Sequence, residues 1–209
     1  MRATRAGRKR NRRRILSLAL ASVMALAPAL LPAQPGGSYR IEKGEVKVTV
    51  PLKPGGAFEA KSTSLSGTLA AGAGKPMPLT GEVVLDLLTI DTGIALRNQH
   101  LQEKYLEIAK GPRFQKAVLS GLRLDDADGE GFQGRTGFTG KLLLHGAEQA
   151  VSGTAEIRRT GGGIGVEASF PLTLTDFGVE PPMYLGVGVA SRIFVKVQLS
   201  LAPSGGAGR

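Results

Sequence analysis

From residue 45 onward, apolar and polar side chains change places at almost every step. EVKVTV (residues 45–50) sets Val46, Val48 and Val50 on one side of an extended chain and Lys47 and Thr49 on the other. Successive side chains of a strand point to opposite faces, so a period of two predicts a strand with one dry face and one wet face. GEVVLDLL (81–88) repeats the pattern with Val83, Leu85 and Leu87, and FQKAVLSGLRL (114–124) is a third such segment. GRTGFTGKLLLHG (134–146) aligns Phe138, Leu142 and Leu144. AVSGTAEIRR (150–159) alternates again, and IGVEASFPLTL (164–174) aligns Ile164, Val166, Ala168 and Phe170. In SRIFVKVQLSLA (191–202), Ile193, Val195, Val197, Leu199 and Leu201 oppose Arg192, Lys196, Gln198 and Ser200.

Glycine-rich breaks separate these runs at residues 54–56, 72–76, 126–131 and 160–163, and suit tight connections that need positive φ. One stretch departs from the period of two. Residues 96–108 place Leu101, Tyr105 and Ile108 at helical spacing, and Gly111-Pro112 is expected to stop that helix. No internal repeat or second domain is visible. The pattern predicts an all-β chain of about eight or nine antiparallel strands with one short helix, closing as a barrel or stacking as a sandwich. Long strands and the in-strand glycines Gly121, Gly134, Gly137, Gly140 and Gly153 favour the barrel, because they let a sheet coil and remove its exposed edges.

The start of the chain changes the reading of its charge. Residues 1–14 carry eight basic side chains and no acid, and residues 15–31 form an apolar run interrupted by Pro28. A basic leader, an apolar stretch and small residues after it predict a cleaved secretory signal over residues 1–33, with cleavage after Ala29 or Ala33. NRRRILS (11–17) resembles a twin-arginine export signal, and the general secretory route is equally open. The expected location is the periplasm or the medium. Without those eight residues, 19 basic face 17 acidic ones, about +2 instead of +10. That removes the basis for nucleic-acid binding, which needs a surplus of cations to displace phosphate counterions.

Cysteine is absent, which excludes disulfides, thiolate ligands and a cysteine nucleophile. The two histidines have no metal-ligand spacing, so no metal and no cofactor are expected. No Gly-x-Ser-x-Gly elbow is present, and the glycines lack the strand–loop–helix context of nucleotide binding. His145 falls between Leu144 and Gly146 and reads as an exposed loop residue.

Four stretches carry a resemblance. IDTGIALRNQHLQEKYLEI (90–108), PRFQKAVLSG (112–121), GKLLLHGAEQAV (140–151) and LTLTDFGV (172–179) are similar, in order and spacing, to segments of the YceI-like family of bacterial polyisoprenoid-binding periplasmic proteins. The resemblance covers residues 39–202. Departures are Asn98 in place of an Asp beside Arg97, Tyr105-Leu106 in place of two Phe, Leu143 in place of Thr and Leu174-Thr175 in place of Asn-Arg. The opening EKGEVKVTV also lacks the family's His-x-x-Val-x-Phe.

The resemblance implies a single lipocalin-like barrel over residues 38–202, followed by a disordered tail at 203–209, holding an isoprenoid lipid or quinone. Alternation alone favours a dry packed core, whereas the resemblance favours a tunnel. Its lining would be Val83, Leu85, Leu87, Phe138, Leu142, Leu144, Ile164, Val166, Phe170, Ile193, Val195 and Val197. Asp91, Arg97 and His100 are candidate contacts at a mouth or with a headgroup, although Asp91 more simply organises a turn. Such a carrier would meet a membrane only transiently, for ligand exchange, and a homodimer is compatible with it. Two rival readings remain: a filled barrel acting as an envelope interaction module through the Gly-Pro stretch near Gly178 and Gly188, and a hydrolase using His100 with Asp91.

Overall fold

The computed structural model describes residues 37–129, 131–184 and 187–204, without the side chains of Tyr184 and Val187. The expected signal peptide and most of the expected tail lie outside the described residues. The strands are β1 (Ser38–Lys53), β2 (Ala57–Ser62), β3 (Leu65–Ala71), β4 (Met77–Asp86), β5 (Lys116–Leu124) and β6 (Gly134–Leu144). They continue as β7 (Ala147–Thr160), β8 (Gly163–Thr173), β9 (Met183–Tyr184), β10 (Val187–Val189) and β11 (Arg192–Pro203). All pair antiparallel, in the order β11-β8-β7-β6-β5-β4-β3-β1. Pairing of β1 with β11, from Tyr39 opposite Pro203 to Thr49 opposite Phe194, closes the ring.

β2 and β3 are successive halves of one stave, bonded to opposite ends of β1. The wall therefore closes with eight staves, and beyond the end of β4 the outer side of β2 is met by a single bridge, Lys61 to Asp91. β9 and β10 form a small ribbon on the far end of β1, where Leu52 faces Val189. Pro203 belongs to β11, and the Ser204 amide donates to the Ser38 carbonyl, so the first two residues of the expected tail extend the barrel.

The pleat explains most of the sequence pattern. In β11, Ile193, Val195, Leu199 and Leu201 are buried, while Lys196 and Ser200 on the other face are exposed. Phe194 also points outward, beneath the Arg192 guanidinium at 5.9 Å from the ring centre. Register shifts at Ile41/Lys43, Pro78/Glu82 and Ser120/Arg123 mark bulges that bend the strands into closure. Gly81 sits at one of them with φ +104°, a conformation costly to any side chain.

At Gly153 the requirement is space. Its neighbours Phe138 on β6 and Phe170 on β8 meet edge to face, centroids 5.8 Å apart, across the place where a side chain would stand. An added Cβ there would come within 2.7 Å of Phe170 Cβ and 2.9 Å of Phe138 Cε1, and would collide with the Ser169 carbonyl oxygen.

Three expectations need correction. The helix over 96–108 is not continuous: α1 (Ala95–His100) widens into a π-turn (Leu101–Tyr105) and breaks at Glu107, whose φ is +48°. Pro112 does not stop a helix. It opens the single-turn α2 (Pro112–Gln115), where its missing N–H costs nothing, so β5 begins at Lys116 and not at 114. The strand expected over 81–88 turns into a 3₁₀ segment (Leu87–Thr89) after Asp86, whose carboxylate accepts from the Leu88 amide.

Gly153→Ala is expected to destabilise the barrel by about 2–3 kcal/mol through overpacking. Gly161→Ala, in a turn with nothing within 4 Å of the new methyl, should change stability by less than about 0.5 kcal/mol. Urea unfolding of both variants checks the contrast.

Candidate functional site

Inward residues of all eight staves surround a continuous hollow of about 830 Å³. This overturns the packed core that alternation alone favours: facing walls of apolar side chains do not reach across the barrel. Val83 and Leu85 from β4, Leu87 just beyond it, and Phe138, Leu142 and Leu144 from β6 all line the hollow. Ile164, Val166 and Phe170 from β8 and Ile193, Val195 and Val197 from β11 complete the set named from sequence. The sequence reading missed β2 and β3, which contribute Phe58, Ala60, Leu65, Leu69 and Ala71. The signal was present as alternation of small residues (Ala60, Ser62, Gly67, Ala71), but those carry little hydrophobicity.

The two ends differ. Residues 87–115, 174–184 and 187–191 lie at the end where β1, β4, β6 and β8 finish, and they cover it with Leu101, Tyr105, Leu106, Leu174 and Val179. Ile94, Leu96 and Met183 line the hollow and are also exposed, Leu96 by 61 %, so they mark its opening to solvent. No other described lining residue is exposed. At the opposite end, the loop between β5 and β6 folds Phe132 and the fully buried Ala127 inward. The Asp126 amide donates to Thr136 Oγ1 at 3.0 Å and pins that loop.

The Gly-Pro stretch after Gly178 is wall, not a free recognition loop. Val179 is buried, Pro181 and Pro182 line the hollow, and the Ala190 amide donates to the Pro51 carbonyl.

Asp91, Arg97 and His100 separate into two roles. Asp91 does not line the hollow. Its backbone bridges to Lys61 at 2.8 Å in both directions, and its Oδ1 accepts from the Gly93 amide and from Asn98 Nδ2 at 2.8 and 2.7 Å. Asn98 Oδ1 in turn accepts from the Thr92 amide at 2.8 Å and from Thr92 Oγ1 at 2.6 Å. The Asn98 bond first, then that from Gly93, holds the Asp91 carboxyl below the usual range. Asn98 thus uses both ends of an amide where the family resemblance has a carboxylate. Arg97 and His100, one turn apart on α1, both line the hollow, and the Arg97 guanidinium lies 4.2 Å from the centre of the Phe58 ring.

His145 is not an exposed loop residue. Its side chain is only 10 % exposed, although it occupies a two-residue turn with φ +51°. Nδ1 donates to the Phe177 carbonyl at 3.0 Å, and Nε2 lies 2.9 Å from Glu107 Oε2. The Phe114 ring meets the imidazole edge to face at 5.0 Å. His145 therefore ties together the two segments that cover the open end. Glu107 also accepts from Lys110 at 2.7 Å, and that bond, with the smaller one to His145, lowers its carboxyl pKa despite partial burial. Among the described residues no group of acids and histidines has metal-binding geometry, and no buried side-chain polar atom lacks a partner.

The chain matches the YceI-like domain family over residues 39–201. Comparison with curated proteins gives no match. Two solved structures share the fold. BcnA of Burkholderia cenocepacia aligns with TM-score 0.57 at 16 % identity, covering 75 % of this chain and 95 % of that one. A polyisoprenoid binding domain from Saccharophagus degradans, implicated in plant cell wall breakdown, aligns with TM-score 0.56 at 15 % identity, covering 79 % and 98 %.

Two outcomes test this geometry. Asn98→Asp keeps an acceptor for Thr92 but sets a second carboxylate against Asp91, so the Asp91 pKa should move from below its ordinary value to above it, as read by NMR titration. Glu107 is held lower in the folded protein than in the unfolded chain. Its contribution to stability is therefore complete above the ordinary glutamate value and lost as pH falls through the depressed one. Denaturant midpoints of the natural protein should fall on acidification below about pH 4.5, and Glu107→Gln should flatten that fall.

Proposed function

Because the chain belongs to the YceI-like family, we propose that it is a binding protein that carries or sequesters an isoprenoid lipid, such as a prenyl quinone, with the tail inside its barrel. The observation that carries this reading is the apolar hollow of about 830 Å³, with Ile94, Leu96 and Met183 as its exposed rim among the described residues. That volume lies within the range of small-molecule sites. Each methylene of a tail withdrawn from water contributes about 0.8 kcal/mol, so several isoprene units supply affinity without any reaction at the wall. The pre-formed barrel adds to this by lowering the ordering cost of binding.

Further support comes from the polyisoprenoid-binding character of the Saccharophagus degradans domain, which has the same fold. The alternative of a filled interaction module requires a packed interior, and the hollow argues against it. The leader-like residues 1–33 favour export to the periplasm or the medium. There the exposed apolar rim would meet a membrane briefly to exchange its ligand.

Solvent extraction of protein purified from its own cells, followed by mass spectrometry, should release an isoprenoid lipid in stoichiometric amount. A barrel that comes out empty and takes up no prenyl quinone would overturn the proposal. Ala168→Phe puts a ring into the hollow from β8. It should lower tail affinity by about tenfold or more, equivalent to losing roughly two methylenes of burial, with the thermal midpoint little changed because the ring fills space.

A further inference from the structure

Among the described residues, Glu107 and His145 are the two non-glycine positions with left-handed backbone, at φ +48° and +51°. A side chain is strained there, and such strain persists only where the surroundings hold it. The two strained residues hold each other: His145 Nε2 lies 2.9 Å from Glu107 Oε2, across 38 positions of chain. Glu107 belongs to the covering segment that follows the π-turn. His145 belongs to the β6–β7 turn, and its other ring nitrogen grips Phe177 on the second covering segment.

The number of protons on the imidazole follows from its two partners. The Phe177 carbonyl can only accept, so Nδ1, 3.0 Å away, carries a hydrogen. Glu107 Oε2 accepts a 2.7 Å bond from the Lys110 ammonium, and chiefly that bond keeps its carboxyl ionised. A carboxylate also only accepts, so Nε2 carries a hydrogen too, and the ring is an imidazolium. With a single proton, one nitrogen would turn its lone pair towards an oxygen at 2.9 or 3.0 Å, in a side chain only 10 % exposed. Other charged groups stand on the elements packed around the ring. They are Lys110 beside Glu107, Arg113 on α2, which donates to the Gly146 carbonyl at 3.4 Å, Asp176 next to Phe177, and the Lys141–Glu148 pair on the ring's own hairpin. Of all these groups Glu107 alone bonds the imidazole among the described residues.

We infer that the His145–Glu107 pair is a proton-operated latch on the cover of the barrel, shut while the imidazole is cationic and released when it loses its second proton. Release unties the two covering segments and lets both backbones leave the left-handed region. Leu101, Tyr105 and Leu106 on one segment and Leu174 and Val179 on the other line the hollow, so release widens access to it. The shut form binds the extra proton, so rising pH favours the open form. The change falls across the span where imidazoles discharge, roughly pH 5 to 8.

Amide exchange on the full-length protein, corrected for the intrinsic effect of pH, tests the latch. The amides of Leu106, Lys110, Gly178 and Val179 donate within the two covering segments and report on them, and amides of the β1–β11 seam are the reference. Between about pH 5 and 8 the reporters should lose about tenfold in protection relative to the seam, the worth of one hydrogen bond to a charged group. Proton–nitrogen NMR should show two protons on the His145 ring at the lower end of that range and one at the upper end, in step with exchange. Entry of an apolar phenylnaphthylamine dye should quicken by a similar factor. In Glu107→Gln the side-chain amide can donate to a neutral imidazole while its oxygen accepts from Lys110. The cover should then stay protected at the upper end, and the step should vanish. His145→Gln should leave the reporters poorly protected throughout.

A singly protonated His145 at the lower end, reporter protection that does not change with pH, or a step that survives in Glu107→Gln would overturn the latch while tail binding stands. Dye entry at one rate throughout would overturn it too. If the dye enters at no pH, the tail-binding reading falls with it.

Discussion

A barrel with an unfilled interior depends on the hydrogen-bonded ring that surrounds the space. In a packed core, side chains from opposite walls touch and hold the walls together. Here a hollow separates many of them, and the run of pairs from Tyr39–Pro203 to Thr49–Phe194 makes the sheet continuous. Closure leaves every stave with neighbours on both sides. A broken seam would expose two long edges together with an apolar inner face, the combination most prone to aggregate. The Phe138–Phe170 contact over Gly153 lies along one side of the ring, joining β6 and β8 across β7, and a glycine makes room for it.

Alternation was legible wherever its apolar members are large. β11 could be read residue by residue, because Ile, Val and Leu oppose Arg, Lys and Gln over its whole length. β2 and β3 escaped because Ala60, Ser62, Gly67 and Ala71 share their inward positions with Phe58, Leu65 and Leu69 and dilute the hydrophobic contrast. Hollow and core were not distinguishable from pattern at all, since both require the same period of two. The difference lies in how many staves close and how far apart the walls stand, which is a property of the ring and not of any strand. The resemblance of residues 90–108 and 172–179 to family segments supplied what periodicity lacked, and the family match over 39–201 bears that out.

The covering segment was harder to read. Helical spacing from Leu96 to Ile108 is real in the sequence, but Glu107 is drawn into a left-handed conformation as its carboxylate meets His145, 38 positions away. No local rule foresees a partner at that distance. A turn position with positive φ ordinarily implies solvent, and His145 is largely shielded only because Phe114, Phe177 and Glu107 converge on it from two other segments. Asp91, by contrast, follows its intrinsic chemistry, accepting from the backbone two residues on as a short acid at a turn does.

Among the described lining residues only Ile94, Leu96 and Met183 are exposed, while Ala127 and Phe132 fold inward at the far end, so a guest passes by that one rim. A chain-like guest must then thread in by its free terminus and back out the same way, so its dwell time is set by how much of it has to be withdrawn. At about 0.8 kcal/mol per methylene, each further methylene slows escape by about fourfold. Such a vessel grades its cargo by length through the clock of release.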